Sequence, residues 1–181
     1  GDRISFDICS ANIVLNYLSS FLHKDFDENG EIARQGILHQ PMLKALNNLE
    51  FYHRPPPKSL GKEWVLAEVH PILQNFDLPV EDKLRTFAEH IAIQVARVVR
   101  NHDTATLLIT GGGAFNRFLT EKIRKKTQIS VILPDPLTIN FKEALIFAFL
   151  GVLRLRLQAN CLSSVTGAGY DSSSGALYHI L

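Results

Sequence analysis

The sequence is poor in the residues that form covalent cross-links and soft metal sites. Only two of its 181 residues are cysteines, Cys9 and Cys161. They form neither a C-x-x-C motif nor the spacing of a zinc finger. A disulfide-stapled secreted domain is therefore excluded, and the composition suits a reducing cytosol. We expect each cysteine to be a small core or turn residue.

An excess of either charge is also missing. The chain carries 19 Lys and Arg against 18 Asp and Glu, a net charge of +1. We therefore expect neither nucleic acid nor a membrane as a partner. No run of 18 uncharged apolar residues occurs, and the first residues lack a signal-peptide core. The 46% hydrophobic content is enough for the core of one domain. That domain opens almost directly on a predicted strand, which indicates a piece of a longer protein.

No standard phosphate-binding motif is present either, but residues 107–116 read LLITGGGAFN. An apolar strand runs here into three glycines, Gly111, Gly112 and Gly113, and a helix follows. Such a turn exposes backbone N–H groups at the carboxyl end of a strand, and residues without Cβ let a ligand approach the main chain. The triplet matches neither G-x-G-x-x-G nor a P-loop. A tight turn without a ligand explains it equally well.

Residues 3–8 alternate polar and apolar side chains, as a half-buried strand does. The apolar positions after them recur at helical spacing, with Ser10 or Asn12 as a candidate N-cap. This pattern places Asp7 at or near the carboxyl end of a strand and opposite a helix N-terminus. A structural aspartate that caps the helix is the alternative to a functional carboxylate.

Periodicity predicts the remaining elements. We expect helices over residues 31–35, 41–49, 80–101 and 115–126, a strand over 129–133, and a last helix from 141 to about 157. The last helix is apolar nearly all round between residues 144 and 153, so we expect it to be deeply buried. The basic residues at the end of helix 115–126 are expected to form a solvated face: Lys122, Arg124, Lys125 and Lys126.

Five stretches carry a resemblance when they are taken together and in order. They are FDICSAN (6–12), RPPPKSLGKE (54–63), ITGGGAFN (109–116), KEALIFAFLG (142–151) and SVTGA (164–168). This order resembles the C-terminal half of bacterial anhydro-N-acetylmuramic acid kinase over nearly the whole chain. The PPPKS-x-G-[KR]-E stretch is the most specific of the five.

The resemblance implies an α/β fold: a ribonuclease-H-like lobe of the sugar-kinase, actin and heat-shock ATPase superfamily, with an incomplete sheet flanked by helices. Residues 1–181 would form one C-terminal lobe of a two-lobed kinase. Enzymes of this family use ATP, Mg²⁺ and a water molecule to open the 1,6-anhydro ring of anhydro-N-acetylmuramic acid while phosphorylating its 6-oxygen. The product enters peptidoglycan recycling.

The resemblance also implies site residues. Asp7 matches the aspartate of the family's FD-T-G-P-G-N turn, the general base that activates the attacking water. Gly111, Gly112 and Gly113 match the adenosine motif and would border the nucleotide, with Asn116 holding the turn. Asn12 and Glu143 match positions assigned to the sugar.

Two departures from the family pattern matter for activity. Ile8-Cys9-Ser10-Ala11 replaces Thr-Gly-Pro-Gly after Asp7, which removes backbone freedom near the expected site. The N-terminal lobe, with its phosphate-binding turn, has no counterpart here, so we expect no turnover by this chain alone. A diverged nucleotide-binding or interaction module is the alternative function. We expect a lobe without its partner to expose apolar surface, and a homodimer is one way to cover that surface.

Overall fold

The computed structural model describes residues 3–100, 102 and 104–178. The α-helices within these residues are α1 Asn12–Ser20, α2 Glu31–Gln35, α3 Gln40–Asn47, α4 Lys62–Trp64, α5 His70–Asn75, α6 Val80–Val99, α7 Arg117–Lys126, α8 Pro136–Leu155 and α9 Ser163–Thr166. Short 3₁₀ turns cover Glu28–Gly30, Glu50–His53 and Gly112–Phe115, and a π-helical turn over Val65–Val69 joins α4 to α5. The strands are β1 Thr106–Leu108 and β2 Ser130–Ile132.

The two strands form a small parallel sheet in which Leu107 pairs with Val131. Helix α7 connects them, as a parallel pair requires a crossover. Leu107 and Val131 are half-buried, whereas their neighbours Leu108 and Ile132 are exposed on the other face. The α/β class is confirmed, and the ribonuclease-H-like topology stays a prediction.

The predicted strand over residues 3–8 is not formed. This segment is extended, but no strand among the described residues lies beside it. The Asp7 N–H donates to the Lys58 carbonyl at 3.0 Å, which ties the segment to the proline-rich loop. A strand exists only where a neighbour supplies hydrogen-bond partners, and periodicity alone does not supply one.

Helix α6 is the axis of the core. The prediction of a helix over residues 80–101 is confirmed for Val80–Val99, and residue 101 lies outside the described part of the chain. Leu84, Phe87 and Ile91 form its buried stripe, and α1, α2, α3 and α7 pack around it. This packing fixes the first helix and the glycine segment relative to each other.

An ion-pair cluster joins α6 to α7. The buried Glu89 carboxylate contacts Lys126 Nζ at 2.6 Å and Lys122 Nζ at 3.2 Å. Burial alone would raise the pKa of Glu89, but the hydrogen bonds from the two lysines bring it below its ordinary value. The expectation of a wholly solvated basic face is therefore wrong for Lys122 and Lys126 and holds for the exposed Arg124 and Lys125.

Helix α8 differs from the prediction in two ways. It begins at Pro136 rather than near residue 141, because Asp135 caps it by accepting the Thr138 N–H at 3.0 Å. It is also largely exposed instead of deeply buried, with Ile139 as its one buried residue. Apolar composition indicates that a helix requires cover, but it does not say which part of a protein provides that cover.

By length and composition α8 is also able to cross a membrane. Only 6% of its 18-residue apolar stretch is buried in the structure. The same composition is found in helices that are covered by another part of a protein. The contacts at the N-terminal end of α8 distinguish a membrane-spanning helix from one that is covered by another part of a protein.

We predict that Glu89→Gln lowers the free energy of unfolding by about 2 kcal/mol. The substitution removes the carboxylate that two partly buried lysines share. The expected loss of stability lies between the loss on breaking an exposed ion pair and the loss on breaking a fully buried one. Urea denaturation measures it. Glu121→Gln is the matched control, since it breaks the exposed pair with Arg34 at 2.9 Å and should have a much smaller effect. Equal losses in both variants would contradict the assignment.

A buried polar cluster lies further along α6. His90 is fully buried, with its Nδ1 2.9 Å from Asn47 Oδ1, and Gln94 donates to the same oxygen at 2.6 Å. Burial, assisted by the charge of Arg97, lowers the pKa of His90 to about 3. The imidazole is therefore neutral in the folded chain near neutral pH.

This cluster makes stability depend on pH. Between the unfolded pKa of about 6.5 and the folded pKa of about 3, the unfolded chain binds a proton that the folded chain does not. The contribution of His90 to the free energy of unfolding therefore falls as the pH is lowered between these two pKa values. We predict that His90→Gln flattens the pH dependence of the urea midpoint between pH 7 and 4. An unchanged slope would rule out His90 as a source of acid sensitivity.

Candidate functional site

The glycine turn and the start of α1 are in direct contact. A Cβ on Gly112 would lie 3.3 Å from Asn12 Nδ2, and a Cβ on Gly113 would lie 3.4 Å from Asn12 Oδ1. Gly111 has a φ of +77°, a conformation that glycine adopts without strain. The three glycines thus serve two needs: Gly111 allows the turn, and the next two let the Asn12 amide approach closely.

Asn12 is free for this contact because it does not cap α1. The helix begins at Asn12 itself, and its N-cap residue is Ala11, without a side-chain hydrogen bond. The prediction that Ser10 or Asn12 caps the helix is wrong. Ser10 is instead buried, and its Oγ has no hydrogen-bond partner within the described part of the chain.

Asn116 organises the far side of the turn. Its Oδ1 accepts the Leu119 N–H at 2.9 Å and so caps α7. Gly30 packs against the same side chain so closely that a Cβ at Gly30 would collide with Asn116 Oδ1. The 3₁₀ turn Glu28–Gly30 is thereby held next to the glycine segment.

These contacts enclose a cavity of about 440 Å³, within the range of small-molecule sites. Phe26 and Phe115 are exposed aromatic rings in its lining, and the amides of four asparagines offer both donors and acceptors. The lining residues are Asn12, Leu15, Asn16, Phe26, Asp27, Glu28, Asn29, Gly112, Phe115 and Asn116.

The charges of this lining are acidic. Asp27 is buried, and its two carboxylate oxygens accept the N–H groups of Ile32 and Ala33 at 2.9 Å each, so it serves the start of α2. Glu28 is exposed, and no Lys or Arg occurs among the described residues that line the cavity. The cavity therefore suits a flat, hydrogen-bonding group better than a polyanion.

A cation lies at the other side of the glycine segment. Lys142 Nζ donates to Thr110 Oγ1 at 3.0 Å, and this contact attaches the second turn of α8 to the residue that precedes Gly111. Glu143 follows on the same helix and is exposed, and it does not line the cavity. The structure thus brings α8 to the glycine turn without bringing Glu143 into the site.

Asp7 lies apart from the cavity. Its side chain is exposed, and its Oδ2 accepts the Leu60 N–H at 2.6 Å. It lines two open depressions beside the proline-rich loop, and Gly112 lines neither of them. Of the sequence-predicted residues, Asn12, Gly112 and Asn116 therefore meet at one cavity, while Asp7 and Glu143 do not join them.

Cys9 follows Asp7 closely and is not a reactive thiol. Burial raises its pKa to about 12, and the nearby Lys58 charge only partly opposes that shift. A thiol protonated at neutral pH agrees with the expectation of a core residue. Within the described residues, no group of three or more His, Cys, Asp or Glu is arranged to hold a metal ion.

Sequence reasoning missed several residues of this site: Phe26, Glu28, Asn29 and Lys142. One available signal was the Asn29-Gly30 pair, which is typical of a turn with left-handed backbone. The structure has this turn, with φ of 55° at Asn29 and 74° at Gly30. The Thr110–Lys142 contact joins residues 32 positions apart, and no local pattern signals it.

Comparison with known proteins places these features in a family. The model of the anhydro-N-acetylmuramic acid kinase family matches residues 1–180. The chain is 30% identical to the anhydro-N-acetylmuramic acid kinase of Sulfurimonas denitrificans over 96% of its own length and 50% of the relative. It is 35% identical to that of Saccharophagus degradans over 84% of its length and 43% of the relative. The chain thus spans about half the length of the curated relatives that it matches. The chain belongs to the anhydro-N-acetylmuramic acid kinase family.

Proposed function

We propose that the chain is the C-terminal lobe of an ATP-dependent anhydro-N-acetylmuramic acid kinase, and that it contributes the nucleoside half of the site. The observation that carries this proposal is the cavity at which Asn12, Gly112 and Asn116 meet. Family membership supplies the reaction class, and the cavity supplies a location for the nucleotide within this chain. Residues 1–181 form one lobe in this proposal, and a second lobe completes the enzyme.

The cavity fits the adenosine part of ATP. Phe26 and Phe115 offer apolar surface for a purine ring, and the asparagine amides match the donor and acceptor pattern of its edge. Gly111 to Gly113 present main chain where a sugar or phosphate would leave the pocket. Lys142, beside Thr110, places a positive charge next to that exit.

Most of the phosphate clamp must come from outside this chain. The cavity lining holds Asp27 and Glu28 and no cation among its described residues. Phosphoryl transfer depends on positioned positive charge around the γ-phosphate, including Mg²⁺. Among the described residues no group of three or more His, Cys, Asp or Glu is arranged to hold a metal ion, so in this proposal the second lobe and the phosphates supply ligands for Mg²⁺. This chain alone should therefore bind nucleotide weakly and not turn over.

Asp7 is proposed as the general base. An exposed carboxylate held by the Leu60 N–H at 2.6 Å is oriented and accessible. It would take a proton from the water that opens the anhydro ring, while Asn12 and Glu143 would bind the sugar. Because Asp7 does not line the cavity, the sugar would extend from the cavity to Asp7 in the completed enzyme.

A second candidate function is a nucleotide-binding or interaction module without catalysis. The turn after Asp7 favours it, because Cys9 and Ala11, which replace the two glycines of the family pattern, pack against the core. In this case nucleotide would bind in the same cavity, and Asp7 would only stabilise the proline-rich loop through Leu60.

We predict that Gly112→Val weakens ADP binding by about tenfold or more. Its side chain would enter the space next to Asn12, where a Cβ alone already lies 3.3 Å away. Calorimetry with Mg-ADP measures the affinity. Gly169→Val is the matched control, since nothing lies within 4 Å of a Cβ at Gly169. Equal affinities, or no binding by the unsubstituted chain, would exclude the cavity as a nucleotide site.

We predict that Asp7→Asn separates the two candidate functions. In the enzyme completed by co-expression with the unmatched half of the S. denitrificans relative, loss of a positioned base should reduce kcat by roughly 10²–10⁴-fold and leave ADP affinity unchanged. Formation of N-acetylmuramic acid 6-phosphate from the anhydro sugar, ATP and water is the assay. An unaffected kcat would exclude Asp7 as the base, and an inactive unsubstituted complex would favour the module.

A further inference from the structure

Helix α8 exposes many large apolar side chains. Phe147 is 72% exposed and Phe149 is 57% exposed. They lie two positions apart, which on a helix of 3.6 residues per turn places them about 200° apart. Large apolar side chains therefore face solvent on opposite sides of the same helix.

One side of α8 is organised as a seam. Its residues recur at helical spacings of three and four, and all of them are exposed. Except for the small Ala148 they are bulky apolar residues: Leu137, Phe141, Leu145, Ala148, Val152 and Leu155. We call this set the α8 seam. Such a stripe packs against another helix or an apolar groove, and one of this length is rarely left open to water.

We infer that the α8 seam is the docking surface for the half of the enzyme that this chain does not span. This inference rests on the proposed function. The curated relatives are about twice as long as the part that the chain matches, so a body of comparable size is available to cover the helix. Apolar side chains are exposed on several sides of α8, and a whole lobe is large enough to cover more than one side of the helix.

Two other occupants fit the geometry less well. A second copy of the chain, related by a two-fold axis, would bury the same strip of each helix and leave exposed Phe147, which lies about 100° around the helix from the seam residue Ala148. A bilayer would take up the second turn of α8, where Lys142 and Glu143 lie. Lys142 is hydrogen-bonded to Thr110 in the folded body at 3.0 Å, which holds that turn at the site.

The α8 seam begins close to the glycine turn, so docking at the seam affects the candidate site. The same helix carries Lys142 at the glycine turn and the seam residue Phe141 one position before it. A lobe that covers the seam is therefore brought next to Thr110, the residue that precedes the glycine turn. Docking and completion of the phosphate site would be coupled through one rigid helix.

The test compares Leu145→Asn/Val152→Asn with Ile37→Asn, a control that exchanges an apolar residue of similar exposure away from α8. The unmatched half of the S. denitrificans relative is co-expressed with each full-length chain, and the dissociation constant is measured by sedimentation. We expect the double variant to weaken association by about tenfold or more, as loss of central apolar anchors does, and the control to leave it unchanged. Equal affinities, or no association of the unsubstituted chain, would overturn the inference.

A second measurement does not depend on a separate half that folds. Asparagine is introduced into the intact S. denitrificans kinase at the positions aligned with Leu145 and Val152. We expect the Tm of that kinase to fall by about 4 °C or more, while the same substitutions leave the Tm of the isolated 181-residue chain unchanged, because the side chains are exposed there. An unchanged Tm in the intact kinase would overturn the inference.

The other occupants give distinct results with the isolated chain. A dimer that the double variant dissociates and Ile37→Asn does not would assign the α8 seam to a second copy. Sedimentation with phosphatidylcholine–phosphatidylglycerol vesicles, lost in the double variant, would assign it to a membrane. Either result overturns docking of the second lobe. A complex that forms through α8 but leaves the anhydro sugar unphosphorylated would contradict the proposed function alone.

Discussion

The close approach of the Asn12 amide to bare main chain at Gly112 and Gly113 is the contact on which the candidate site depends. Gly111 allows the turn with its left-handed φ of +77°, and the missing Cβ at Gly112 leaves room for the amide, because a Cβ there would lie only 3.3 Å from Asn12 Nδ2. The packing of α1 and α7 against α6 holds both partners in place. Asn116 then fixes the glycine turn to Gly30, and the cavity is the space that these contacts leave.

The uncovered apolar surface follows from an incomplete set of layers. A parallel α/β sheet normally has helices on both faces, but Leu108 and Ile132 are exposed on one face of this two-stranded sheet. Residues 3–8 are extended without a strand beside them among the described residues, and α8 projects its apolar surface into solvent. Each of these features is what a lobe shows when the segments that would complete its sheet and cover its helix belong to another part of the protein.

The sequence could predict what depends on local patterns. The period of α6, the strand before the glycines and the burial of Cys9 follow from residue type and spacing, and the structure confirms them. It could not predict what depends on a distant partner. Residues 3–8 have strand periodicity but no strand beside them among the described residues, α8 has core composition but is largely exposed, and Lys122 and Lys126 pair with a buried carboxylate from α6. For the site, local motifs located Asn12, the glycines and Asn116, whereas Phe26 and Lys142 arrive through tertiary packing.

In the proposed two-lobed enzyme, the acidic cavity and the exposed helix are two consequences of the same division between lobes. A site that binds a nucleoside can be built from glycines, amides and aromatic rings of one lobe, because these groups need no counter-charge. A site that transfers a phosphoryl group needs several cations, and cations held close together within one lobe repel each other when no phosphate is bound. Division of the clamp between two lobes avoids that cost and lets closure assemble the charge only around bound substrate. In such an enzyme the helix that joins the glycine turn to the lobe interface has to be apolar outside and anchored at its start, and α8 has both properties: its seam is exposed, and Lys142 ties its second turn to Thr110.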